Sequence, residues 1–119
     1  MVSKKPAEKM TSPELASKIL RTLPATEAFH FFTGIGTYEG KSAASLTDFS
    51  EKLGTVQLKS IEFHFKRGDF ERWIRDTLGD DYLADGISRI DKLDQGEALR
   101  TAIQRTVENR LRNLKQSKQ

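Results

Sequence analysis

Ser60-Ile-Glu-Phe-His-Phe-Lys-Arg-Gly-Asp-Phe-Glu-Arg-Trp-Ile-Arg-Asp-Thr-Leu-Gly79 holds the only Trp of the chain, one of its two His and a cluster of Phe. The Arg67-Gly68-Asp69 step divides it. After the step, Phe70, Trp73, Ile74 and Leu78 recur at helical spacing and form one apolar face. Asp69 is the expected N-cap of this short helix, because a carboxylate there can accept the unpaired N–H groups of the first turn. Gly79 is its expected stop, since glycine tolerates the left-handed C′ conformation. Before the step, Ile61, Phe63 and Phe65 alternate with Glu62, His64 and Lys66 in the manner of a strand. Leu58, Ile61 and Phe65 equally fit a helix, with His64 on the same side. The helix is preferred, because Gly68 resembles its C-terminal stop and the rest of the chain is helical. The strand alternative would pair residues 57–65 with 28–33 in one small β-hairpin.

Working outward, Asp80 can cap a helix whose Leu83, Ala84, Ile87 and Ile90 share a face. Asp94-x-x-Glu97 has capping-box spacing and is expected to open the longest helix. Ala98, Leu99, Ala102, Ile103, Val107, Leu111 and Leu114 run down one side of that helix. Toward the N-terminus, Ser45-Leu-Thr-Asp48 opens a helix carrying Leu46, Phe49 and Leu53, with Val56 continuing the same face. Ser12-Pro13-Glu14 opens another, with Leu15, Ala16, Ile19, Leu20 and Leu23 on its face and Pro24 ending it. Ala28 to Phe32 is too short for periodicity to decide. Thr33–Lys41, with Gly34, Gly36 and Gly40, reads as a loop. The sum is a mainly α fold: a compact bundle of five or six helices, with the small hairpin as an option. Its boundaries are a flexible basic tail at 1–11, one helical domain at 12–115 and a disordered end at 116–119. The core is expected around Phe70, Trp73, Ile74, Leu83, Ile87, Leu99 and Ile103.

Phe63-His64-Phe65-Lys66-Arg67-Gly68-Asp69-Phe70-Glu71-Arg72-Trp73-Ile74, followed by Leu78-Gly79-Asp80 and Leu83-Ala84, resembles the core of an uncharacterised prokaryotic domain family. Ala28-Phe29 to Gly34, then Gly36, Tyr38, Gly40 and Ala43 to Phe49, resembles its first half. The resemblance spans roughly Ala28 to the final helix. It implies a single intact domain and no particular activity.

The 119 residues suffice for one domain with a modest core, and 36% apolar with 31% charged residues is a globular composition. There is no Cys, which excludes disulfides and thiolate chemistry and suits a reducing cytoplasm. No basic-then-apolar leader and no run long enough to span a membrane is present, so the protein is expected to be soluble and cytoplasmic. The net charge of +3 is uneven. Lys4, Lys5 and Lys9 outnumber Glu8 at the start. Six Arg and Lys between 96 and 119 face only Glu97 and Glu108, so the body between is mildly acidic.

His64, Arg67, Asp69 and Trp73 are the candidate binding residues: His64 and Arg67 could hold an anion beside the Trp73 ring. The opposing structural reading makes Asp69 a cap, Trp73 a core residue, His64 a partner of backbone and Arg67 a partner of a carboxylate. Arg100, Arg105, Arg112 and Lys115 are the candidate nucleic-acid contacts, as phosphate ligands on the last helix. Catalytic and metal-site signals are thin. Two His and no Cys give no zinc-type spacing, and Ser42, Ser45 and Ser60 lack a nucleophile-elbow context. Gly40-Lys41-Ser42 echoes a phosphate loop, but Ile35 stands where that motif needs its first glycine. Arg67-Gly68-Asp69 as an adhesion tripeptide would need an exposed extracellular loop. No cofactor is expected. The reading needing fewest assumptions is a non-enzymatic protein-interaction or regulatory domain, with a partner or second copy covering Leu111 and Leu114 if they project past the core. Nucleic-acid binding through the last helix follows, then the His64/Arg67/Trp73 ligand pocket.

Overall fold

The computed structural model describes residues 11–118. Of the expected 1–11 tail, residues 1–10 lie outside the described residues, as does Gln119. Six helices and one hairpin follow in order: α1 Pro13–Ile19, β1 Phe29–Gly34, β2 Thr37–Ala43, α2 Leu46–Leu53, α3 Leu58–Arg67, α4 Asp69–Arg72, α5 Asp81–Ser88 and α6 Gly96–Lys118. A single 3₁₀ turn, Ala25–Glu27, precedes β1. After Arg72, α4 widens into a π-helical turn, Trp73–Leu78.

The helix boundaries follow local chemistry. Ser12 Oγ accepts from Leu15 N–H at 3.1 Å, with Pro13 in the first turn. Ser45 Oγ accepts from Asp48 N–H at 3.1 Å, while the Asp48 carboxylate reaches back to Ala44 N–H. Asp80 Oδ1 accepts from Leu83 N–H at 3.1 Å. Gly68 and Gly79 close their helices at φ 78° and 83°, a region that a β-carbon disfavours. One start departs from expectation: α6 opens at Gly96, whose N–H donates to Glu62 Oε2 at 2.7 Å. A carboxylate from α3 therefore does the work expected of Asp94. At the other end α6 continues to Lys118, past the boundary placed at 115.

The run 58–67 is a helix, because its burial repeats at four residues rather than two. Ser60, Ile61, His64 and Phe65 face inward, while Phe63 is only half-buried. The hairpin exists, but 57–65 is not its second strand. β1 pairs antiparallel with β2, in the register Phe29↔Ala43, His30↔Ser42, Phe31↔Lys41, Phe32↔Tyr38 and Gly34↔Thr37. The loop read at Thr33–Lys41 thus shrinks to a turn at Ile35-Gly36. Its glycines serve the hairpin: Gly36 (φ 73°) makes the turn, and Gly40 (φ 91°) sits in the bulge between Phe31↔Lys41 and Phe32↔Tyr38.

α6 is the spine, and α1, α2, α3 and α5 all pack on it. Leu99, Ile103, Val107, Leu111 and Leu114 form its inward face. The hairpin lies on α2 and α3, with Phe29 and Phe31 pointing in and His30 out. Phe29, Phe31, Phe49, Phe70 and Trp73 meet there in an aromatic cluster, with Phe29–Phe31 centroids 4.9 Å apart and Phe49–Trp73 5.2 Å apart. All seven expected core residues are buried. Asp80 and Arg110, 1% and 2% exposed, join the start of α5 to α6 through bonds of 2.8 and 2.9 Å.

Candidate functional site

Between the hairpin and the α3–α4 corner lies a cleft of about 470 Å³. Ala28, Phe29, His30, Phe32, Gly34, Ile35 and Gly36 form one wall, and Phe63, His64, Arg67, Asp69 and Trp73 the other. All four candidate binding residues are therefore brought to one wall of one cleft. The left-handed step at Gly68 is what assembles them. It lets α4 begin directly after α3, so that Asp69 faces back toward His64 in the last turn of α3.

Asp69 is not the cap the sequence suggested. Its side chain makes no capping bond, and Gly68 precedes the first turn. Three cationic or N–H donors have drawn the carboxylate away instead. Oδ2 accepts from His64 Nδ1 at 2.8 Å and from Arg67 Nε at 3.0 Å, and Oδ1 accepts from Arg72 Nη2. Burial pushes the Asp69 carboxyl up, but the bonds from His64 and Arg67 outweigh it and hold the group below 3.8. Asp69 is ionised, and each of its oxygens accepts at least one bond from the chain.

His64 is fixed from both sides. Phe32 N–H donates to its Nε2 at 2.8 Å, which makes that nitrogen an acceptor and leaves the ring proton on Nδ1, facing Asp69. Burial pushes His64 below 6.5, against the opposite pull of Asp69. The imidazole is neutral near pH 7 and pins β1 to α3. Trp73 is a core residue with its N–H directed to the Glu27 carbonyl at 2.9 Å. Much of the structural reading of this group therefore holds: His64 meets backbone, Arg67 meets a carboxylate and Trp73 is packed.

Arg67 differs from the other three. Its Nε is on Asp69 and its Cζ sits 5.0 Å above the Phe63 ring, but its side chain is 48% exposed. Among the described residues, no acceptor is within hydrogen-bond reach of its Nη1 or Nη2. Two guanidiniums, Arg67 and Arg72, meet one carboxylate here, and the Glu39 carboxylate on β2 acts on His64 as well.

The last helix does not present the four cations the sequence suggested. Arg100 is only 13% exposed, and its Nη1 donates to the Leu53 and Val56 carbonyls at 2.6 and 2.8 Å, closing the end of α2. Arg105, Arg112 and Lys115 are exposed, but exposed Glu108 shares that side of the helix. Leu111 and Leu114, at 7% and 0% exposed, do not project past the core. The condition for requiring a partner to cover them is not met.

Two groups escaped the sequence reading. The buried Asp80–Arg110 pair was signalled only by the capping position of Asp80 and by Arg110 falling on the apolar stripe of α6 between Val107 and Leu114. On the hairpin, His30 Nδ1 lies 2.6 Å from Ser42 Oγ and Nε2 lies 3.2 Å from the Ala25 carbonyl, with Tyr38 Oη 2.8 Å from the same Ser42 oxygen. This exposed chain of contacts depends on the hairpin register. Among the described residues, no three His, Asp or Glu side chains gather as a metal ion would need, and no helix is long and apolar enough to cross a membrane.

Residues 26–119 match the model of a family of unknown function, DUF5752. The chain belongs to that family. The match takes in both walls of the cleft and leaves α1 outside it. No curated protein and no solved structure matches the chain.

Proposed function

We propose that this family member is a non-enzymatic, regulatory binding domain that works through the cleft between the hairpin and the α3–α4 corner. The observation that carries the reading is the convergence of Phe32, Phe63, His64, Arg67, Asp69 and Trp73 around one opening of about 470 Å³. That size is within the range of roughly 300–1,000 Å³ typical of small-molecule sites, and an apolar lining with a few polar groups is typical too. The floor is rigid, since His64 and Trp73 are each tied to backbone. The hairpin wall ends in the exposed turn at Ile35-Gly36, the part best placed to adjust to an occupant. A ligand bridging the two walls would change how the hairpin sits on α3 and so alter the surface offered to a protein partner. The absence of Cys suits a cytoplasmic setting.

The basic side of α6 is the weaker alternative, because Arg100 is occupied and Glu108 interrupts the remaining cations. Amide NMR with a panel of small fragments, and separately with short duplex DNA, separates the two. Fragment shifts should cluster on Phe32, His64, Arg67 and the Trp73 indole. Shifts confined to Arg105, Arg112 and Lys115 with DNA, fading as salt rises, would overturn the cleft in favour of phosphate contact.

A further inference from the structure

We infer that the cleft selects a small apolar carboxylate, with Arg67 as the residue that determines the charge of the ligand; this rests on the cleft being a binding site. The inference follows from which hydrogen-bonding atoms remain. Both Asp69 oxygens are occupied, one by His64 and Arg67 and the other by Arg72. Both His64 nitrogens are occupied, and so is the Trp73 N–H. A cationic ligand would have to share the Asp69 carboxylate with His64, Arg67 and Arg72. What the wall still offers is the outer edge of the Arg67 guanidinium, Nη1 and Nη2.

The guanidinium is positioned as well as open to solvent. Nε on Asp69 fixes one edge, and the Phe63 ring 5.0 Å from Cζ supports one face. The remaining edge is a planar two-donor fork, the geometry that matches a carboxylate in bidentate fashion. Arg67 offers one two-donor edge, which matches the two oxygens of a carboxylate and leaves a further phosphate oxygen without a donor. The apolar requirement comes from Phe32, Phe63 and Ile35, which leave little for a sugar or peptide backbone to bond. An extended peptide is disfavoured for a further reason: His64 already takes the Phe32 N–H, the group that a peptide strand adding along β1 would need.

The test uses three probes of one shape and different charge: phenylacetate, 2-phenylethanol and phenethylamine. Titrated into the full chain by amide NMR, phenylacetate should shift Phe32, His64 and the Trp73 indole, and bind about tenfold or more tightly than the other two. Arg67→Met should abolish that preference, bringing phenylacetate to the same affinity as 2-phenylethanol in that variant. Arg67→Lys, which keeps the charge without the fork, should recover only part of it. Equal binding of the neutral or cationic probe, or an unchanged preference in Arg67→Met, overturns carboxylate selection and leaves the cleft itself standing. Tighter binding of phenyl phosphate than phenylacetate overturns the choice of a carboxylate over a phosphate. If neither these probes nor the fragment panel moves any cleft amide, the inference and the binding reading fall together.

Discussion

Asp80 and Asp69 both meet arginine, and the two meetings differ in burial and in the number of arginines involved. Asp80 and Arg110 are buried, and both Asp80 oxygens face Arg110 nitrogens. Asp69 is 16% exposed and receives two arginines and a histidine at the mouth of a cleft. The first pair is sealed, with the Tyr82 ring 4.8 Å from the Arg110 guanidinium. In the second, one arginine keeps two donors directed at no described group. Identical functional groups thus serve as a structural joint in one place and as a prospective recognition point in the other. Burial and stoichiometry distinguish them.

The largest expected effect tests the sealed pair. Arg110→Ala should destabilise the fold by about 3–5 kcal/mol, because it strands the Asp80 carboxylate without its counter-ion in a dry site. Asp80→Ala should cost at least as much, since it also removes the cap on α5. Urea unfolding of the single variants and of Asp80→Asn/Arg110→Met checks this. The double variant should lose less than the two singles summed, as expected for coupled groups. A loss below about 1 kcal/mol for Arg110→Ala would mean that the site is wetter than the structure has it, and the contrast would break.

The two centres were also unequally legible in the sequence. Asp69, His64, Arg67 and Trp73 lie within ten residues, so local spacing sufficed to group them, and all four share the cleft. Asp80 and Arg110 are thirty positions apart; helical spacing sets Arg110 on the stripe of Val107 and Leu114, apart from Arg105 and Arg112, but nothing local names Asp80 as its partner. The same rule explains the rest. Helices, whose periodicity and caps are local, were readable, including the helical choice at 58–67. The pairing of β1 with β2 is set by register and by glycines at a turn and a bulge, which in isolation look like loop residues. At the start of α6 a nonlocal partner prevailed over the local signal: Glu62 supplies the bond expected of Asp94. At Asp69, two arginines and His64 outcompete the backbone N–H groups it was expected to cap.

A middle-sized effect is expected from His64, the residue that connects the open centre to the sheet. His64→Phe should cost about 2 kcal/mol, because it leaves the Phe32 N–H and one Asp69 bond unmet. The pH dependence has a definite sign. The folded state holds His64 below its ordinary 6.5, so the unfolded chain binds the extra proton more readily. The stability contributed by neutral His64 is complete above about 6.5 and is lost as pH falls from there through the lower folded value. Asp69 is held below 3.8, so its own contribution is lost only in more acid solution. Thermal melts between pH 7.5 and 4.5 should therefore fall less steeply in His64→Phe than in the native chain. Parallel curves would show that His64 accepts a proton without giving up Phe32, contrary to the geometry described.

The smallest stability effect is expected where the functional effect should be greatest. Arg67 is half-exposed, and Asp69 retains Arg72 and His64 without it, so Arg67→Met should cost under about 1 kcal/mol. Arg110 and Arg67 thus form a matched test: similar side chains on similar carboxylates, with opposite expected rankings in stability and in ligand selection. Unfolding of Arg67→Met beside its phenylacetate titration reads both quantities on one protein. A loss approaching that of Arg110→Ala would make Arg67 a second structural joint, and its two outward donors would then have to be explained by packing alone. A near-native melt with lost carboxylate preference would leave the open corner as a site whose arginine is dispensable to the fold and needed by the ligand.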